Sequence, residues 1–311
     1  SLSLANTLNT LAKVYETTYQ YDKAIEHYQK LAEIKKKTND KKGLSETIDK
    51  IGNIYYKKQI LDKSAESFKE VAKLNEELND KENLGTTYNK LGIILMEMGK
   101  IDEAEKYLKK ALELKEKTKN LKETSMVLNN LGNWNYEQNQ LKKAANYYRQ
   151  SIEIKSQIEY LYGKAIGLFN LGNVYRKIGN LDEALKYYEE CKEISLKNNY
   201  EELLARSLKA LAMIYREKNM LKKAKENEAM LATTSYQDID IDQVISESKI
   251  IEEDSESQKL IKYLTEEYLK QKEIAEREAR ARAQENLINS QRIRLKNEQI
   301  RKQRILIFSI S

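Results

Sequence analysis

The sequence predicts an all-α chain, a solenoid of six helical hairpins followed by a long charged helix. Three observations carry this. The 311 residues hold no proline and 10 glycines while 33% are charged, a balance that suits helices and little else. One residue pattern returns six times at an interval of 40, without insertion. Residues 255–304 then run without glycine or proline and set glutamate four residues ahead of arginine at Glu273 and Arg277, Glu276 and Arg280, and Glu278 and Arg282.

The first helix of each hairpin is marked by an apolar leader, Leu11, Ile51, Leu91, Leu131, Leu171 and Leu211. Beside each leader stands a small residue, Ala12, Gly52, Gly92, Gly132, Gly172 and Ala212, which lets a partner helix come close. The second helix is marked ten residues on by Tyr21, Leu61, Ile101, Leu141, Leu181 and Leu221. Its face continues at thirteen with Ala24, Ser64, Ala104, Ala144, Ala184 and Ala224, and at seventeen with Tyr28, Phe68, Leu108, Tyr148, Tyr188 and, as the exception, Glu228. Gly99 and Gly179 fall at the break between the two helices, where a left-handed cap is wanted. Asp62, Asp102 and Asp182 then open second helices, where a negative charge suits the dipole.

With these columns in place, LGNVYRKIGNLDEALKYYEE (171–190) resembles a tetratricopeptide repeat, in a 40-residue variety. The resemblance covers roughly residues 4–235 and departs from the usual pattern in lacking a repeat-end proline, in Asn135 and in Glu228. Glu228 gives the sixth repeat the polar outer face of a capping unit. The resemblance implies a right-handed superhelix whose first helices line a concave groove for a protein or an extended peptide.

On those helices the positions away from the packing face are rich in asparagine, a mediocre helix former. Asn53, Asn89, Asn129, Asn133 and Asn173 are expected to pair with a peptide backbone, since an amide both donates and accepts. Tyr56, Tyr136, Phe169 and Met213 would add apolar contact, and Arg176, Arg206, Lys209 and Arg216 would favour a carboxylate. The competing explanation is a source composition rich in Asn and Lys.

Catalysis is not expected. His27 is the only histidine and reads as a solvated helix residue; a triad or a histidine metal site would lack its usual member. Cys191 is the only cysteine and reads as a buried small side chain. No glycine motif cradles a phosphate, so no cofactor is expected. Nucleic acid is not expected either. The net charge of +6 is concentrated at one end, where Arg292, Arg294, Lys296, Arg301, Lys302 and Arg304 stand against Glu298.

Residues 236–254 read as an acidic connector of no clear structure. The helix over 255–304 is either a weakly specified coiled-coil homodimer or a lone spacer. Residues 305–311, ILIFSIS, follow the basic stretch as a truncated transmembrane start would, or as an apolar tail or surface helix would. The order of parts resembles the sensory region of bacterial membrane-bound histidine kinases. That implies membrane association with the repeats outside the cytoplasm, although basic flanks usually stay inside. The alternative is a soluble cytoplasmic adaptor.

Overall fold

A computed structural model describes residues 2–236 and 238–246, together with Gln284. The charged helix expected over 255–304, its homodimer and the apolar 305–311 lie outside the described residues. Twelve helices occur among the described residues: α1 (Leu2–Thr17), α2 (Tyr21–Lys37), α3 (Lys41–Lys57), α4 (Leu61–Glu77), α5 (Lys81–Glu97), α6 (Ile101–Lys117), α7 (Leu121–Glu137), α8 (Leu141–Gln157), α9 (Leu161–Ile178), α10 (Leu181–Asn198), α11 (Glu201–Glu217) and α12 (Leu221–Leu231). None of them is long and apolar enough to cross a membrane.

The 40-residue interval resolves into two 20-residue steps. A residue with positive φ ends each of the first eleven helices, at Tyr19, Asn39, Gln59, Asn79, Gly99, Lys119, Asn139, Glu159, Gly179, Asn199 and Asn219. The next N–H then reaches back five residues, as from Gln20 to the Tyr15 carbonyl and from Met220 to the Tyr215 carbonyl, and closes the helix end. Asp40, Asp80, Asn120 and Asn180 cap the following helix by accepting the N–H three residues on. Breaks this short force consecutive helices to lie antiparallel.

Within a hairpin the small residue beside the leader receives the side chain at plus seventeen. A Cβ added at Gly132 would stand 2.5 Å from the Tyr148 ring, and one at Gly172 would stand 2.6 Å from that of Tyr188. Tyr28, Phe68, Leu108, Tyr148 and Tyr188 are all fully buried there. Successive hairpins stack α2 on α3, α4 on α5, and so on to α10 on α11. The first helices also touch one another, α5 with α7, α7 with α9 and α9 with α11. A continuous face of first helices results.

Polar side chains sew that face together. The residue just before four of the leaders donates to the residue 41 positions earlier: Lys50 to Asn9 at 3.3 Å, Lys90 to Asp49 at 2.7 Å, Asn130 to Asn89 at 3.0 Å and Asn170 to Asn129 at 3.3 Å. Asn89 and Asn129 therefore have a structural use, joining one hairpin to the next. His27 differs from expectation: it is partly covered, with its ring 5.1 Å from that of Tyr15 and Nδ1 2.8 Å from the Lys23 carbonyl oxygen. Cys191 is fully buried, and burial pushes its thiol up to about 12.

Candidate functional site

Residues 238–246, the described part of the acidic connector, do not trail away from the repeats. After α12 the chain turns back, and residues 238–246 lie along the first-helix face from the sixth hairpin towards the fourth. Lys209 of α11 donates to the Ile239 carbonyl at 2.6 Å, and Arg206 donates to the Asp240 carbonyl. Arg176 of α9 pairs with the Asp242 carboxylate. Ile241 is buried in an apolar cluster of the repeat array.

 Ile241 is 3% exposed and shares that cluster with Phe169, Tyr188, Leu203 and Leu211, while Val244 packs beside Tyr136 and Leu171.

Ile245 is held by three asparagines. The Asn170 amide brackets it: Oδ1 accepts the Ile245 N–H at 2.9 Å and Nδ2 donates to the Ile245 carbonyl at 2.9 Å. One side chain thus pairs with both backbone groups of one residue, as a neighbouring strand would, and reads no side chain in doing so. Asn129 and Asn133 donate to the same carbonyl at 3.0 and 3.1 Å. The Ser246 hydroxyl then donates to Asn130 Oδ1 at 3.0 Å. Under this cover every residue of α7 from Glu123 to Tyr136 is buried.

Of the thirteen groove residues read from the sequence, Asn129, Asn133, Arg176, Arg206 and Lys209 meet on this segment. Others are committed elsewhere. Asn53 donates to Asp49 and accepts from Lys90, Tyr56 donates to Glu97, and Asn89 accepts from Asn130. Arg216 is paired with Glu228 of α12. Phe169 is fully buried, 5.5 Å from the Tyr188 ring, in the same apolar cluster as Ile241. Tyr136 is also largely buried, under the Lys177 ammonium at 4.4 Å. Met213 remains exposed. Asn173 Oδ1 accepts from the Tyr188 hydroxyl.

The sequence pattern does not mark Asn130 and Asn170, which adjoin the leaders Leu131 and Leu171. Their recurrence 40 residues apart was the available signal. Among the described residues no group of three or more His, Cys, Asp or Glu side chains could hold a metal.

Profiles of the tetratricopeptide repeat match residues 4–41, 44–117, 83–157 and 164–229. The chain belongs to the tetratricopeptide-repeat family. Solved structures similar to this tetratricopeptide-repeat chain include BtubC (BKLC) from P. vanneervenii, at 18% identity and a TM-score of 0.60, covering 78% of this chain and 99% of that one. The apo form of RapI is similar at 18% identity and a TM-score of 0.65, covering 74% and 83%. A Rap protein complexed with Competence and Sporulation Factor is similar at 15% identity and a TM-score of 0.57, covering 74% and 68%. At these identities the likeness is one of fold. No curated protein sequence matches the chain significantly.

Proposed function

We propose that this tetratricopeptide-repeat array is a peptide-binding scaffold whose groove, formed by α7, α9 and α11, takes an extended segment bearing a carboxylate. The observation that carries this is the Asn170 bracket on the Ile245 backbone, with Arg176 on the Asp242 carboxylate. Backbone pairing supplies hold on any extended chain, and the arginine supplies a preference for acid. The structure of a similar Rap protein with a bound factor agrees with such use of the fold.

The test uses a fluorescent peptide of residues 238–246 and the full chain carrying Asp242→Lys with Ile245→Asp, which takes the chain's own segment out of the groove. Saturable binding is expected, weakened at least about ten-fold by Asn170→Ala or by Arg176→Ala. Binding that ignores both substitutions would sink this reading.

The wider setting we infer is the sensory or interaction region of a membrane-anchored signalling protein such as a histidine kinase. Its support is the basic run from Arg292 to Arg304 followed by the apolar Ile305–Ile310. Flotation of the chain with vesicles containing anionic lipid tests the membrane attachment; recovery in the unbound fraction alone would favour a soluble adaptor.

A further inference from the structure

We propose that residues 239–246 are a tethered stand-in for the groove's partner. The partner itself is an extended peptide with an acidic residue for Arg176 and aliphatic residues where Ile241, Val244 and Ile245 lie, and it binds by displacing the tethered segment. This rests on the groove reading above and adds an occupant and a competition to it.

The fit of the segment is specific but incomplete. Asn133 and Asn173 occupy equivalent places one repeat apart, and the Oδ1 of each accepts from the hydroxyl of the tyrosine fifteen residues on, Tyr148 at 2.8 Å and Tyr188 at 2.5 Å. That shared bond orients the two amides alike. Asn133 Nδ2 then finds the Ile245 carbonyl, whereas Asn173 Nδ2, on a residue with no exposed surface, has no hydrogen-bond partner among the described residues. Nearby on the same helix, Arg176 Nε is buried and likewise unpartnered. One rung of the amide ladder is filled and the next is empty.

The segment itself explains the empty rung. It bends at residues 241–243, and the Asp240 carboxylate accepts the Asp242 N–H at 2.8 Å, which holds the turn. A peptide that runs straight past α9 can offer Asn173 the carbonyl that the bent segment withholds. An unpaired buried donor weakens a complex by roughly ten-fold or more, so a straight partner has the advantage per molecule. The tether offsets this through an effective concentration on the order of millimolar, which sets a threshold for the partner.

The experiment compares the wild-type full chain with the Asp242→Lys, Ile245→Asp chain, both titrated with the fluorescent 238–246 peptide. The opened chain is expected to bind at least about ten-fold more tightly. Two further arms examine the rung. A peptide with Asp240→Ala, which cannot hold the turn, is expected to bind the opened chain more tightly than the native peptide, and Asn173→Ala is expected to abolish that gain. Hydrogen exchange on the wild-type chain is expected to show a protected Ile245 amide that loses protection at saturating peptide. Equal affinity for wild-type and opened chains would overturn the tethered competitor and leave the groove reading standing. Absence of binding to an opened chain that retains its helical circular dichroism would overturn both.

Discussion

At the scale of single residues, the hairpin depends on a contact between two columns of the repeat, the small residue beside the leader and the ring or leucine seventeen positions on. The contact is not equally tight in every hairpin. A Cβ at Gly132 would meet the Tyr148 ring at 2.5 Å, but one at Gly52 would meet Phe68 at 3.1 Å. Tyr148 has little room to yield, since it is fully buried and its hydroxyl is bonded to Asn133. Gly132→Ala is therefore expected to cost about 1–3 kcal/mol through overpacking, and Gly52→Ala distinctly less. Urea unfolding of the two variants checks this; equal losses would show that the ring approach is not what selects glycine. The same scale disposes of Cys191, whose buried thiol, pushed up to about 12, holds almost no thiolate at neutral pH.

At the scale of the helix, length is set by a left-handed residue every 20 positions rather than by the hydrophobic stripe. Asparagine fills five of these places, at 39, 79, 139, 199 and 219, and glycine fills two, at 99 and 179. Both tolerate positive φ at low cost. Glu159 has a φ of 55° without that tolerance, and its N–H reaches the Ser156 carbonyl only at 3.4 Å. Glu159→Gly is expected to stabilise the chain by roughly 0.5–1 kcal/mol, read as a rise in melting temperature. A loss of stability would mean that the Glu159 side chain contributes more than its backbone strain costs. The second helices obey their amphipathic pattern closely, but α7 does not. Its polar face is covered by α9 on one flank and by residues 238–246 above, so asparagines that look solvated in the helical pattern are buried.

At the scale of the whole repeat array, tyrosine rings fill much of the thin core, and their ionisation ties stability to alkaline pH. Burial raises Tyr28, Tyr148 and Tyr188 above the ordinary phenol range; burial also raises Tyr56, Tyr88 and Tyr215, helped by Glu97, Glu76 and Glu189 respectively. Below about pH 10 the phenols stay protonated in both states, and their contribution is whole. Above it the unfolded chain releases protons that the folded chain retains, so stability falls as pH rises through the folded values. Urea midpoints between about pH 9 and pH 11 should fall, and Tyr148→Phe should make the fall shallower. An unchanged slope in that variant would remove Tyr148 from the account. The sequence by itself determined the six hairpins, the columns that pack them and a polar first-helix face, because a 40-residue recurrence leaves one set of apolar faces to bury. It also marked Asn129, Asn133, Arg176, Arg206 and Lys209. Tertiary structure alone decided that Asn53 and Asn89 are spent joining hairpins, that Phe169 is buried in one cluster with Ile241, that Asn130 and Asn170 belong to the groove, and that residues 238–246 lie in it. Those outcomes depend on which side chains from different hairpins come within hydrogen-bond reach, and a repeat pattern does not carry distances between its copies.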